Sequence, residues 1–410
     1  MICRDWKSTW RTSEDHRATT NELRTTMTDQ TSTLAELGLF TGAPQHDNFC
    51  RLGSLLPTRE LTPSSTPHQW RTGDTIDLPD TYEFAGETKS FEDFFVETDT
   101  TALLVLEDGV IRHERYALTG GPEVPWISMS VAKSFVSALV GIAVAEGHIK
   151  SIDDPISDYV PVHPGSAYDG VSIRNVLQMS SGARWNEDYS DPTSDVFQLN
   201  AAMAGVGTLD DFVAGVIREN EPGTLCRYNS GDTQALASLV VRATNRSLTD
   251  YMQEKLYEPL GMTSPGAWLL DAAGMEVAFA GLNMTARDFA KLGELYRNGG
   301  EWHGNQVVPE QWVRDSVVPD APYLQPGQPI VGTHRFEFGY GYQWWIPAGD
   351  HGEFSAIGVY NQFVYVDPTA NATVVKLSSN RTYRTTDSES TNHDHETGAF
   401  IRAVINALRN

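Results

Sequence analysis

The chain has 410 residues, 40% of them hydrophobic, with 54 acidic against 30 basic residues and a net charge of −24. That length holds two or three domain-sized units or one large intertwined one, and the composition supports a sizeable core. A field of this sign repels nucleic acid and anionic membranes, so neither is an expected partner.

Cys3, Cys50 and Cys226 are odd in number and far apart, which argues against a disulfide framework or a zinc knuckle and for a reducing, cytoplasmic compartment. No apolar run reaches the ~18 residues of a membrane span. The segment Met1–Lys7 lacks the apolar stretch of a secretion signal. Residues 1–26 carry five basic and four acidic residues, a balance of +1 against −25 for the remainder, and they are polar and aperiodic. They are expected to be disordered, or a non-native extension ahead of a start at Met27. The acid-rich, lysine-poor remainder predicts tolerance of strong salt.

Residues 27–84 read as an N-terminal arm laid over the surface, with a short helix Leu34–Leu39 and then Pro, Ser and Thr through Thr66-Pro67. Phe91 to Phe95 begins a helix. Two β-rich runs, 101–106 and 110–116, flank Glu107-Asp108-Gly109 and predict a hairpin. The apolar run Phe135–Ala145, closed by Gly147, predicts a buried helix. Further helices are expected at 171–177, capped by Ser172, and at about 208–219, 233–244, 248–260 and 285–298. Between them, 183–206 reads as a long lid-like loop. Strands are expected at 339–345, 354–360, 363–366 and 372–377, with a closing helix at 395–408. Strands at both ends around a helical middle predict an α/β fold: a sheet closed by both chain ends, with a mainly helical insertion at about 150–300.

Chemistry points to the entrance of the buried helix, Ser128-Met129-Ser130-Val131-Ala132-Lys133-Ser134. A serine there lies beside free backbone N–H groups, and a lysine three residues on shares its face. Lys133 alone among the lysines has a serine three residues before it. A serine hydroxyl needs a base to become a nucleophile. Lys133 could be neutral and take the proton, or stay charged and lower the pKa of a neighbouring tyrosine. Tyr228-Asn229-Ser230, in a loop after Pro222-Gly223, offers such a tyrosine. In Phe354–Gln362, Gly358 lets a strand approach closely, so that the Val359 and Ser130 N–H groups could form an oxyanion hole. His393-Asp394-His395-Glu396 is read as a helix start and not a metal site, because histidines two apart do not share a helix face.

These three elements, in this order and spacing, resemble the serine hydrolases of the class C β-lactamase and penicillin-binding-protein fold. The resemblance spans roughly residues 85–408 and is nearest to the 6-aminohexanoate-dimer hydrolases and related carboxylesterases. Asn186–Pro192, Thr285–Asp288, Gln343-Trp344-Trp345, Gly358 with Gln362, and Val375–Ser379 carry it alongside the serine motif. It implies an antiparallel sheet flanked by helices, with residues 85–410 as the hydrolase domain. It makes Ser130 the nucleophile, Lys133 its partner, Tyr228 a phenolate-like base and acid held by Lys133, and Ser230 a support of the proton network. Ser130 and Val359 would bind the oxyanion beside Gly358, Tyr189 would be a lid tyrosine, and Trp344 or Trp345 would wall the cleft. Asn200 and Phe279 stand where the dimer hydrolases contact the substrate amine, and neither supplies a negative charge. The third β-lactamase motif carries a cation where this chain has Ala356-Ile357-Gly358, which argues against a β-lactamase or D,D-peptidase. The expected partner is a small ester or amide, with no cofactor or metal and with homodimerisation as a further expectation. A catalytically silent binding protein is the other alternative on this fold.

Overall fold

The computed structural model describes residues 37–202, 205–331, 338–386 and 388–409. Its largest element is an eight-stranded sheet assembled from both ends of the chain. In chain order the strands are β1 (Arg71–Thr72), β2 (Thr100–Glu107), β3 (Val110–Tyr116), β4 (Gly339–Tyr340), β5 (Trp345–Ile346), β6 (Phe354–Gly358), β7 (Gln362–Asp367) and β8 (Ala372–Ser378). Their spatial order is β4-β5-β6-β7-β8-β2-β3-β1. All neighbours are antiparallel except β1, which runs parallel to β3. β8 joins the two chain halves, pairing Val375 with Leu104 of β2 and with Val364 of β7. The central strands are buried on both faces, because helices cover each side.

On one face lies α3 (Ala286–Arg297), started by Thr285, whose hydroxyl accepts from the Asp288 N–H. Gly293 lets it sit directly on the Thr373 and Val364 side chains. On the other face α4 (Asp394–Ala407) joins the helix Phe91–Glu97, and Phe400 stacks on Phe91 with ring centres 4.3 Å apart. The buried helix is α1 (Ala132–Ala145), packed against α2 (Ser230–Thr244). It is apolar nearly all round because protein surrounds it. At Gly141 the Trp312 ring lies so close that a Cβ would meet it at 2.5 Å.

A second, four-stranded antiparallel sheet runs Thr58–Leu61, Gly266–Leu269, Leu282–Met284, Trp126–Ile127. It corrects one expectation: the arm is not merely laid over the surface, since it supplies a strand to each of these two sheets. The region at about 150–300 holds helices and two short strands, Gly266–Leu269 and Leu282–Met284. Short strands whose partners lie far along the chain, as Thr58 pairs with Leu269, have no local signature. Smaller differences have local causes. The helix expected at 208–219 ends at Gly215, because Ile217 and Arg218 bridge in extended form to Ser166 and Ala183. The loop 183–206 contains a helix, Asp195–Ala201. The expected strand 339–345 is two short strands, turned at Gln343 with φ 62°. Residues 1–26 and the first part of the expected helix Leu34–Leu39 lie outside the described residues, and Leu37–Thr41 is a run of turns.

Candidate active site

Three elements meet at Ser130. The first is the strand Trp126–Ile127, whose pairing with Leu282–Met284 fixes the approach to Ser128. Met129 then takes a left-handed φ of 45°, a strained turn that delivers Ser130 to the head of α1. The second is α2, capped by Asn229, whose side chain accepts from the Gly231 and Asp232 N–H groups. The third is the β6–β7 hairpin. A Cβ added at Gly358 would lie 2.9 Å from the Ser130 N and 2.8 Å from the Ser128 O, so only glycine permits this approach.

Gln362 pins the hairpin to the serine strand. Its Oε1 accepts from Trp126 Nε1 at 3.1 Å and from the Ser378 N–H, and its Nε2 donates to the Ser378 carbonyl at 2.6 Å. Gln343 does the same for α1. Its carbonyl accepts from the Ser134 hydroxyl at 2.7 Å, and its side chain bonds Thr233 and the Leu177 carbonyl.

Lys133 is 1% exposed and donates to the Ser130 Oγ at 2.9 Å, to the Ser230 Oγ at 3.2 Å and to the Phe279 carbonyl at 2.9 Å. All three ammonium protons are therefore directed. Burial pulls its pKa down to about 7, against the charge of Glu187, which raises it. The Tyr228 hydroxyl hydrogen-bonds Ser130, and burial, reinforced by the Glu187 charge, pushes its pKa well above the ordinary tyrosine value. Lys133 lies over the Tyr228 ring, 5.1 Å from its centre. Burial therefore favours the neutral phenol of Tyr228 and brings Lys133 toward deprotonation, which favours the lysine of the two bases left open by the sequence.

The residue that sequence reasoning missed is Glu187. Its buried carboxylate accepts from the Ser230 hydroxyl at 2.6 Å, the Ser230 N–H at 3.2 Å, the Tyr189 hydroxyl at 2.9 Å and the Trp185 Nε1. It sits at the positive end of α2, where a carboxylate is favoured. Ser230 thus bridges the two charges, accepting from Lys133 and donating to Glu187. The only sequence signal was its place in the Asn186–Pro192 stretch.

In front of Ser130 opens a cavity of about 450 Å³, walled by Tyr189, Asn200, Phe279 and Val359 among others. The structure thus brings Ser130, Lys133, Tyr228, Ser230, Gly358, Val359, Tyr189, Asn200 and Phe279 together. It does not bring Trp344 to the cleft. That ring is fully buried between Tyr296 and Phe354. Trp345 stacks on Tyr228 with ring centres 5.0 Å apart and acts as its backing instead of walling the cavity. The side chain of Ala356, where a cation would serve a β-lactamase, is buried in β6.

His393 and Glu396 bond each other at 2.8 Å at the start of α4, and Tyr82 donates to Glu396. Among the described residues one group has metal-like spacing, His351, Glu353 and Asp367. Arg402 pairs with Glu353 and Arg409 with Asp367, so arginine already balances that charge. No helix among the described residues is long and apolar enough to cross a membrane.

A family model described as Beta-lactamase matches residues 88–397. The 6-aminohexanoate-dimer hydrolase of Paenarthrobacter ureafaciens is 30% identical over 339 residues, covering 81% of this chain and 84% of that protein. A solved Bacillus anthracis structure, named as a candidate 6-aminohexanoate-dimer hydrolase, superposes with a TM-score of 0.77 at 23% identity, covering 88% of this chain and 93% of that one. A family VIII carboxylesterase superposes at 0.58 with 15% identity, over 77% and 95% of the two chains. At those identities the two structures bear on the fold.

Proposed function

The chain belongs to the beta-lactamase family of serine hydrolases, and from that premise we propose that it cleaves carboxylic esters, and linear amides more slowly, through an acyl-enzyme on Ser130. The observation that carries this reading is the buried lysine, 2.9 Å from the serine hydroxyl, with its pKa near 7. In this reading neutral Lys133 takes the Ser130 proton as the oxygen attacks the carbonyl carbon. The Ser130 and Val359 N–H groups receive the developing oxyanion. Tyr228 gives its proton to the leaving oxygen or nitrogen and is reprotonated by the Lys133 ammonium. Water then enters, gives up a proton along the same route, and releases the acid. Glu187 holds Ser230 and offsets the transient charge on Lys133.

Ala356 in place of a cation supports esters over β-lactams, whose carboxylate such a cation would hold. Small-molecule hydrolysis is common to the relatives, and a homodimer is part of the proposal, for which sedimentation is the check. The deciding comparison is kcat/KM for a p-nitrophenyl ester, the matching p-nitroanilide and nitrocefin, in wild type and Ser130→Ala. Ester turnover that exceeds the other two and is lost in the variant supports the proposal. Faster nitrocefin turnover, or an unaffected variant, contradicts it.

A further inference from the structure

The cavity facing Ser130 takes part of its lining from the N-terminal arm. Leu37, Phe40, Leu52 and Leu56 of the arm line it together with Phe197 and Phe279. Among the described residues that line it there is no Asp, Glu, Lys or Arg. Its one tyrosine hydroxyl, that of Tyr189, is engaged by Glu187. A charged group entering it would lose its hydration with nothing to pair against.

The arm is fastened over this space. The Phe40 N–H donates to the Tyr360 hydroxyl at 2.7 Å. Its ring stacks on Tyr360 and packs on Tyr189, with ring centres 5.1 and 4.6 Å away, and meets Phe197 edge-on. Phe40 therefore ties the arm at once to the residue on Glu187 and to the hairpin bearing Val359. Neither Tyr228 nor Lys133 is among the cavity walls. The leaving group must lie by the proton carrier Tyr228, so the cavity receives the other substituent of the carbonyl, the acyl chain.

Resting on Ser130 as nucleophile, we propose that this cavity is an acyl-chain pocket whose outer wall is Phe40. The substrates are esters of uncharged, apolar acids of middling length, and chains ending in a charge are rejected. At ~30 Å³ per water-sized group, about 450 Å³ accommodates roughly fifteen such groups, which is ample for a chain of about six to eight carbons.

The test compares kcat/KM for the p-nitrophenyl esters of acetate, hexanoate and 6-aminohexanoate. Four added methylenes in an apolar pocket raise the hexanoate value over acetate on the order of 100-fold. The terminal ammonium, at equal length, lowers it at least ~100-fold below hexanoate. In Phe40→Ala the hexanoate-to-acetate ratio falls about tenfold, and Phe40→Leu restores most of it. The wild-type comparison needs no variant, so an unstable Phe40→Ala does not remove the test. An ammonium ester cleaved as well as hexanoate, or no gain with chain length, overturns the pocket while loss of turnover in Ser130→Ala still upholds the nucleophile. Undiminished acetate turnover in Ser130→Ala overturns both.

Discussion

Replacing Gly358 by alanine tests how closely β6 must approach the serine. The new Cβ would stand 2.8 Å from the Ser128 O, 2.9 Å from the Ser130 N and 3.0 Å from the Met129 Cβ. Two of these are backbone atoms, held by the Trp126–Ile127 pairing and by the Gln362 bonds, so no flexible side chain can move aside. Restoring an ordinary contact of 3.4 Å requires the strand and the serine turn to part by about half an ångström. The Val359 and Ser130 N–H groups diverge by that amount. Loss of one oxyanion donor costs about 10²–10³ in kcat, and sites tolerate only about 0.5 Å of such error. We expect kcat for a p-nitrophenyl ester to fall about 100-fold, with KM changed far less. Overpacking also costs roughly 1–3 kcal/mol of stability. Steady-state kinetics beside a thermal melt separate the two effects. A folded Gly358→Ala enzyme with kcat within threefold of wild type would refute the oxyanion geometry.

Further outcomes follow from the same contacts. If neutral Lys133 is the base, kcat/KM rises with pH through an apparent pKa near 7, dropping about tenfold per unit below it. Glu187→Gln removes a charge that favours the ammonium, so the acid limb moves to lower pH, and a shift upward would contradict the role given to Glu187. Gly141→Ala puts a methyl into the Trp312 ring and should lower stability by about 1–3 kcal/mol without altering the shape of the pH profile. The net charge of −24 predicts activity retained in molar salt, and a maximum confined to dilute buffer would contradict that.

The legible part of the site was the local part. Ser130 and Lys133 declare themselves because three residues span one helical turn, and their 2.9 Å contact is nearly built into α1. Tyr228 and the Gly358-Val359 pair gained their meaning only beside the serine motif, since distant segments carry no mutual signal. Glu187 was invisible as a functional group, being one acidic residue among 54; only the fold shows that it meets the start of α2. The arm was misjudged for the same reason. Arg59 pairs with Trp268 and Phe40 with Tyr360, contacts that no periodicity predicts. Trp344 and Trp345 show how parity escapes the sequence. The turn at Gln343 sends one ring into the core and the other against Tyr228. The pKa order of Lys133 and Tyr228 likewise depends on burial, which motif spacing does not encode.

The central claim is that Ser130 carries the acyl group. Rapid quenching during turnover of a p-nitrophenyl ester, or labelling with a fluorophosphonate, followed by peptide mass spectrometry, reads this directly. The account predicts a single adduct on the peptide containing Ser130-Val131-Ala132-Lys133, absent in Ser130→Ala and slowed in Gly358→Ala. An adduct on another residue, or ester turnover with no covalent intermediate and undiminished rate in Ser130→Ala, would contradict it.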